Sequence, residues 1–86
     1  MDYYLIMARS VTFAQRMQKV LEQAGIRCQI FRAPRDLTNM GCAYAVRLGV
    51  GDLVRALSEL HRVSLDPVQI FLHQHGQFRE VRHDLF

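Results

Sequence analysis

Cysteine is scarce in this 86-residue chain, and so are the signals that would direct it out of a reducing compartment. Two cysteines, Cys28 and Cys42, are too few to staple a secreted scaffold, and they lack the C-x-x-C spacing of metal and redox pairs. No apolar run approaches the roughly 20 residues needed to cross a bilayer. The opening MDYYLIMARS has neither a basic start nor a small-residue cleavage site, so it does not read as a secretory signal. The expectation is a cytoplasmic protein with no membrane partner. Repeats, linkers and low-complexity stretches are also missing. The chain therefore reads as a single domain over 1–86, with a core over 3–74 and a C-terminal hairpin or tail over 75–86.

Other absences narrow the chemistry. No Gly-rich phosphate signature follows the first strand-like run, and Gly49-Val50-Gly51 is explained by a loop entering a helix. Asp36, Asp52, Glu59, Asp66 and Glu80 are scattered, and no Ser/His/Asp spacing stands out. His73-x-His75 sets two imidazoles on one side of a strand, yet neither cysteine lies close to them in sequence. No metal site and no cofactor is expected. The net charge of +3 and pI near 9.3 hint at an anionic partner. The basic residues are nevertheless dispersed from Arg9 to Arg82, so nucleic acid is not the expected partner.

What is present is a clear alternation of periods. YYLIMA (3–8) is a strand-forming run with apolar residues on both faces: Tyr4, Ile6 and Ala8 on one, Tyr3, Leu5 and Met7 on the other. Phe13, Met17, Val20, Leu21 and Ala24 then recur at helical spacing. Ser10 or Thr12 can cap that helix, Thr12 with Gln15 matches a capping box, and Gly25 stops it. IRCQIFR (26–32) alternates again, with Ile26, Cys28 and Ile30 together. A turn-forming loop, APRDLTNMG, leads to CAYAVRL (42–48). GVGDLVRALSELHR is a second helix with Asp52 at its start and Leu53, Val54, Leu57 and Leu60 as its stripe. Asp66 and Pro67 break the chain before VQIFLHQ, and the dipeptide HG can turn it back into QFREVRH. The order strand–helix–strand–strand–helix–strand predicts an α+β fold: a ferredoxin-like split βαβ sandwich, βαββαβ, with two helices on one face of an antiparallel sheet and room for an extra C-terminal strand.

That topology bears on Cys42. The first crossover makes strands one and two parallel, and strand three inserts between them. Its beginning then lies at the end of the sheet where strand one finishes and the first helix begins. Period-two alternation puts Cys42 on the face of Tyr44, Val46 and Leu48, which aims its sulfur at the helical layer near Ser10, Val11 and Thr12. Unpaired N–H groups and a partial positive charge at a helix N-terminus favour a thiolate. Arg35 and Arg9 would add to that field, and Gly41 would leave one approach to the sulfur open. Cys28, on the Ile26–Ile30 face, is expected only to fill space.

Taken in order, LIMARS, EQAGI, APRDLTNMGC, AVRL and VGDLVRALSEL resemble a family of small bacterial domains of unknown function, described as selenium or sulfur carrier-like proteins. The match spans about residues 4–60. Ser10 takes the helix-opening serine, with Val11 in place of a threonine. Pro34, Arg35, Asp36 and Leu37 follow the loop motif, with Thr38 for its serine. Cys42 takes the cysteine, Arg47 the basic strand end, and Ala43 stands where glycine is usual. The resemblance implies a non-enzymatic carrier in which Cys42 accepts sulfane sulfur or selenium from a donor protein and passes it to an acceptor.

A different reading concerns the sheet face away from the helices. Tyr3, Leu5, Met7, Ala43 and Ala45 would line it, an open surface that a partner, a second copy or the C-terminal hairpin would cover, with a homodimer through it the favoured guess. A small interaction or regulatory module, dimerising there with Cys42 merely structural, is the alternative function. RNA-type stacking on that face is not expected, because strand three supplies alanines there. A thiol-dependent enzyme is the weakest alternative, since no general base accompanies Cys42.

Overall fold

In the computed structural model, which describes residues 2–34, 37, 44–67 and 69–81, the apolar run near the start becomes the centre of a sheet. It forms β1 (Tyr3–Ala8), followed by α1 (Val11–Gln23), β2 (Cys28–Arg32), β3 (Tyr44–Gly49), α2 (Leu53–Arg62), β4 (Ile70–Gln74) and β5 (Gln77–Val81). The strands lie in the order β2-β3-β1-β4-β5, and every neighbouring pair is antiparallel. The expected insertion of the third strand between the first two is present. The sheet has five strands, one more than the four of the expected sandwich, because Gln77–Val81 pairs with β4 from Gln74↔Gln77 to Ile70↔Val81. Residues 82–86 lie outside the described part.

Two-faced patterning in β1 is satisfied on both sides. Ile6 and Ala8 join Val46, Leu48, Cys28 and Ile70 under Ala14, Met17 and Leu21 of α1 and Leu53, Ala56, Leu57 and Leu60 of α2. Leu5 and Met7 share the opposite face with Ala45 and Phe71. That face is covered within the chain, in part by Phe78 of the C-terminal hairpin. Ala33, Leu37 and Phe78 pack against it, and Met7 and Ala45 are fully buried within the one chain. Ala33 and Leu37, which follow β2, reach back to that face, a long-range contact that period-two reasoning does not contain.

The helices differ in detail from their predicted stripes. Ala14 is fully buried on α1, and on α2 Ala56 is buried while Val54 is 62% exposed. Residues 53, 56, 57 and 60 share one helical stripe, and position 54 falls outside it. Both helices end in Schellman geometry. For α1, Gly25 N–H donates to the Glu22 carbonyl at 3.0 Å and Ile26 N–H to the Leu21 carbonyl at 2.9 Å, with Gly25 at φ 80°. For α2, Ser64 N–H donates to His61 at 3.1 Å and Leu65 N–H to Leu60 at 2.9 Å, but the left-handed position is held by Ser64 at φ 60°.

The two left-handed positions make opposite expectations. Ser64→Gly relieves a conformation that costs a non-glycine residue about 1 kcal/mol and should stabilise the protein by that order. Gly25→Ala meets no atom within 4 Å of the new Cβ, so its loss of about 1 kcal/mol comes from the backbone alone. Urea unfolding of the two variants should give shifts of opposite sign.

Candidate functional site

The N-terminus of α1 is built by Ser10. Its extended backbone (φ −157°, ψ 165°) stops the strand conformation, and its Oγ accepts the Phe13 N–H at 3.1 Å. The predicted Thr12–Gln15 capping box does not form. Ser10 is the cap, so the third helical position falls on Phe13, and Thr12 sits exposed in the first turn. No acidic residue occupies that turn. The Arg9 guanidinium lies 5.2 Å from the Phe13 ring centre, which holds a positive charge beside the helix start. Helix dipole, uncapped N–H groups and Arg9 therefore act with one sign on this end of the sheet.

The register brings β3 to the same place. Ala8, two residues before the cap, pairs with Tyr44, the first residue of β3. The structure thus brings together Arg9, Ser10 and Thr12 with the start of β3. Cys42, Gly41 and Arg35 lie outside the described residues.

The other thiol has a defined and different environment. Cys28 opens β2, is buried in the helical-side cluster, and its Sγ approaches the Gln18 carbonyl at 3.9 Å. Burial first, and the nearby Glu22 carboxylate second, push its pKa up from 9.0 to about 11. A thiol so shifted stays protonated at neutral pH and is a poor nucleophile. Cys28 borders a cavity of about 570 Å³ whose lining includes Glu22, Arg27 and Arg47. Its protonation leaves that cavity without an activated sulfur.

Sequence reasoning missed a second assembly on the far side of the sheet. His73 and His75 do not share a strand side, because His75 stands in the turn before β5 at φ 54°. His73 instead stacks on Tyr3 with ring centres 4.5 Å apart and meets Phe78 at 4.8 Å. Arg47, noted above only as a basic strand end, lies 4.3 Å from the Tyr3 ring centre. The signal was present in the alternation of each strand, but the register between strands was needed to read it.

A family model described as "Putative Se/S carrier protein-like" matches residues 3–72, from β1 into β4, and the chain belongs to that family. No curated protein and no solved structure matches the chain.

The raised Cys28 pKa has a signed consequence for stability. The folded state favours the neutral thiol, so its contribution is fully present below 9.0 and is lost as the pH rises from there to about 11. Wild type should therefore lose stability relative to Cys28→Ala across that window in denaturant titrations. A difference independent of pH would show that the thiol is unperturbed.

Proposed function

We propose that this member of the Se/S carrier-like family carries sulfane sulfur or selenium on Cys42. The observation that carries the reading is the contrast between the two thiols. Cys28 is buried and held protonated, which leaves Cys42 as the other cysteine of the chain. Cys42 stands two residues before Tyr44, whose partner Ala8 leads directly into the positive start of α1. A thiolate or a bound persulfide anion is favoured by such a helix end.

In the transfer, the Cys42 thiolate attacks the terminal sulfur of a donor persulfide. The donor's S–S bond breaks as the new one forms, the donor's inner sulfur leaves as thiolate, and no external oxidant or reductant is consumed. A donor selenosulfide delivers selenium by the same exchange. Ser10 and Thr12 would accommodate the loaded anion at the helix start, with Arg9 and Arg35 supplying charge and Gly41 leaving the approach clear. The partners are then a persulfide- or selenosulfide-bearing donor protein and a thiol acceptor. A reducing cytoplasm, where free thiols persist, suits such a carrier. We also read the strand order as the ferredoxin-like split βαβ arrangement with β5 appended beside β4, in one domain.

Incubation with a persulfide donor followed by intact-mass spectrometry tests the reading. Wild type and Cys28→Ala should each gain the mass of one sulfur, and Cys42→Ala should gain none. No adduct on wild type, or an equal adduct on Cys42→Ala, rules the carrier role out.

A further inference from the structure

Basic residues that are dispersed along the chain are gathered by the fold on the helical side of the sheet. Arg16 and Lys19 stand exposed on the outward stripe of α1, about one turn apart. Arg9 precedes the same helix, with its guanidinium 5.2 Å from the Phe13 ring centre. Arg32 ends β2 opposite Tyr44, and its guanidinium lies 6.0 Å from the centre of that ring, which packs on the helix-side core. Tyr44 in turn pairs with Ala8, so Arg32 and Arg9 stand at the same end of the sheet. Arg47 is not part of this group. It faces the other side, 4.3 Å from the Tyr3 ring centre and 5.6 Å from that of Phe31.

The acids of the helical side do not answer these cations. Asp52 is held by Arg55 at 3.6 Å, Glu59 by Arg62 at 2.7 Å, and Asp66 by His61 at 3.0 Å. Glu22, the single acid of α1, stands in its last turn beside the cavity that Cys28 borders. Arg9, Arg16, Lys19 and Arg32 form no ion pair among the described residues. The negative charge of this side is therefore engaged locally, while four exposed cations on and beside α1 are left to a partner.

We propose that this ridge docks an acidic surface of the protein with which the chain exchanges sulfur or selenium, an inference that rests on the carrier reading above. Complementary charge steers and orients an encounter without requiring a large buried area. That suits a partner which must arrive, react and leave. A nucleic acid fits the ridge less well. Single strands are held by bases stacked on rings within a positive groove. Here the rings beside the cations, Phe13 and Tyr44, are partly buried, and each already has a guanidinium over it. The exposed neighbours Val11, Thr12 and Gln15 offer apolar and hydrogen-bonding surface of the kind protein side chains use.

Fluorescence anisotropy of the full chain with a short labelled polyglutamate peptide tests the proposal. Wild type should bind at low salt and weaken as salt rises. Arg16→Glu combined with Lys19→Glu should weaken binding about tenfold or more. Arg55→Glu combined with Arg79→Glu makes the same change in net charge on α2 and β5, and should stay within about twofold of wild type. Equal binding by the two double variants, with circular dichroism spectra intact, overturns the proposal. So does oligouridine of equal charge, or a phosphatidylserine vesicle, that binds as tightly as the peptide. The Arg16→Glu, Lys19→Glu variant should still gain one sulfur from a small-molecule persulfide, and loss of that loading would overturn a docking role for the two cations. Wild type that loads but does not bind the peptide loses the docking surface and keeps the carrier reading. Wild type that binds but does not load loses the carrier reading, and this partner with it.

Discussion

The two-sided burial of β1 is the constraint from which the other features follow. It is hydrogen-bonded to β3 along one edge and to β4 along the other, and Ile6, Met7 and Ala8 have no exposed surface. A strand enclosed in this way cannot shift register by one residue without sending Ile6 and Ala8 to the wrong layer. Its even positions lie beneath the helices, and its odd positions support the aromatic row. Its last residue delivers the chain to Ser10, so the position of the α1 N-terminus relative to β3 is inherited from the pairing of Ala8 with Tyr44.

Placement also sets the character of Cys28. A sulfur on β2, packed among Leu and Ile side chains under α1, loses the solvation that an anion requires. The start of α1 offers the reverse: partial positive charge, open N–H groups and Arg9. One helix can therefore cover an inert thiol along its length while its start carries positive charge. The row of Arg47, Tyr3 and His73 lies on the opposite face from the helices.

The local devices were legible in the sequence. The two-faced character of YYLIMA, the stop at Gly25 and the turn at His75-Gly76 each depend on residues close together in the chain. Ser10 was a correct candidate cap, but Thr12–Gln15 offered a rival signal, and only backbone geometry decides between them. Val54 was placed on the α2 stripe because it is apolar, whereas its angular position leaves it in solvent. The covering of Leu5 and Met7 by Ala33, Leu37 and Phe78, and the contact of Arg47 with both Phe31 and Tyr3, join separate strands and loops. Such contacts follow from cross-strand register, which no single segment encodes. The segment bearing Cys42 was read from motif and topology and lies outside the described residues.

The central position of the first strand shapes how the chain acquires its structure during synthesis. Tyr4 finds its two backbone partners in Leu48 and Leu72. Both partners of β1 follow it in the chain, so YYLIMA stays unpaired until β3 and β4 are available. Closing such distant pairs makes assembly slow relative to a helical bundle of equal size, and it exposes YYLIMA to misassociation in the interval.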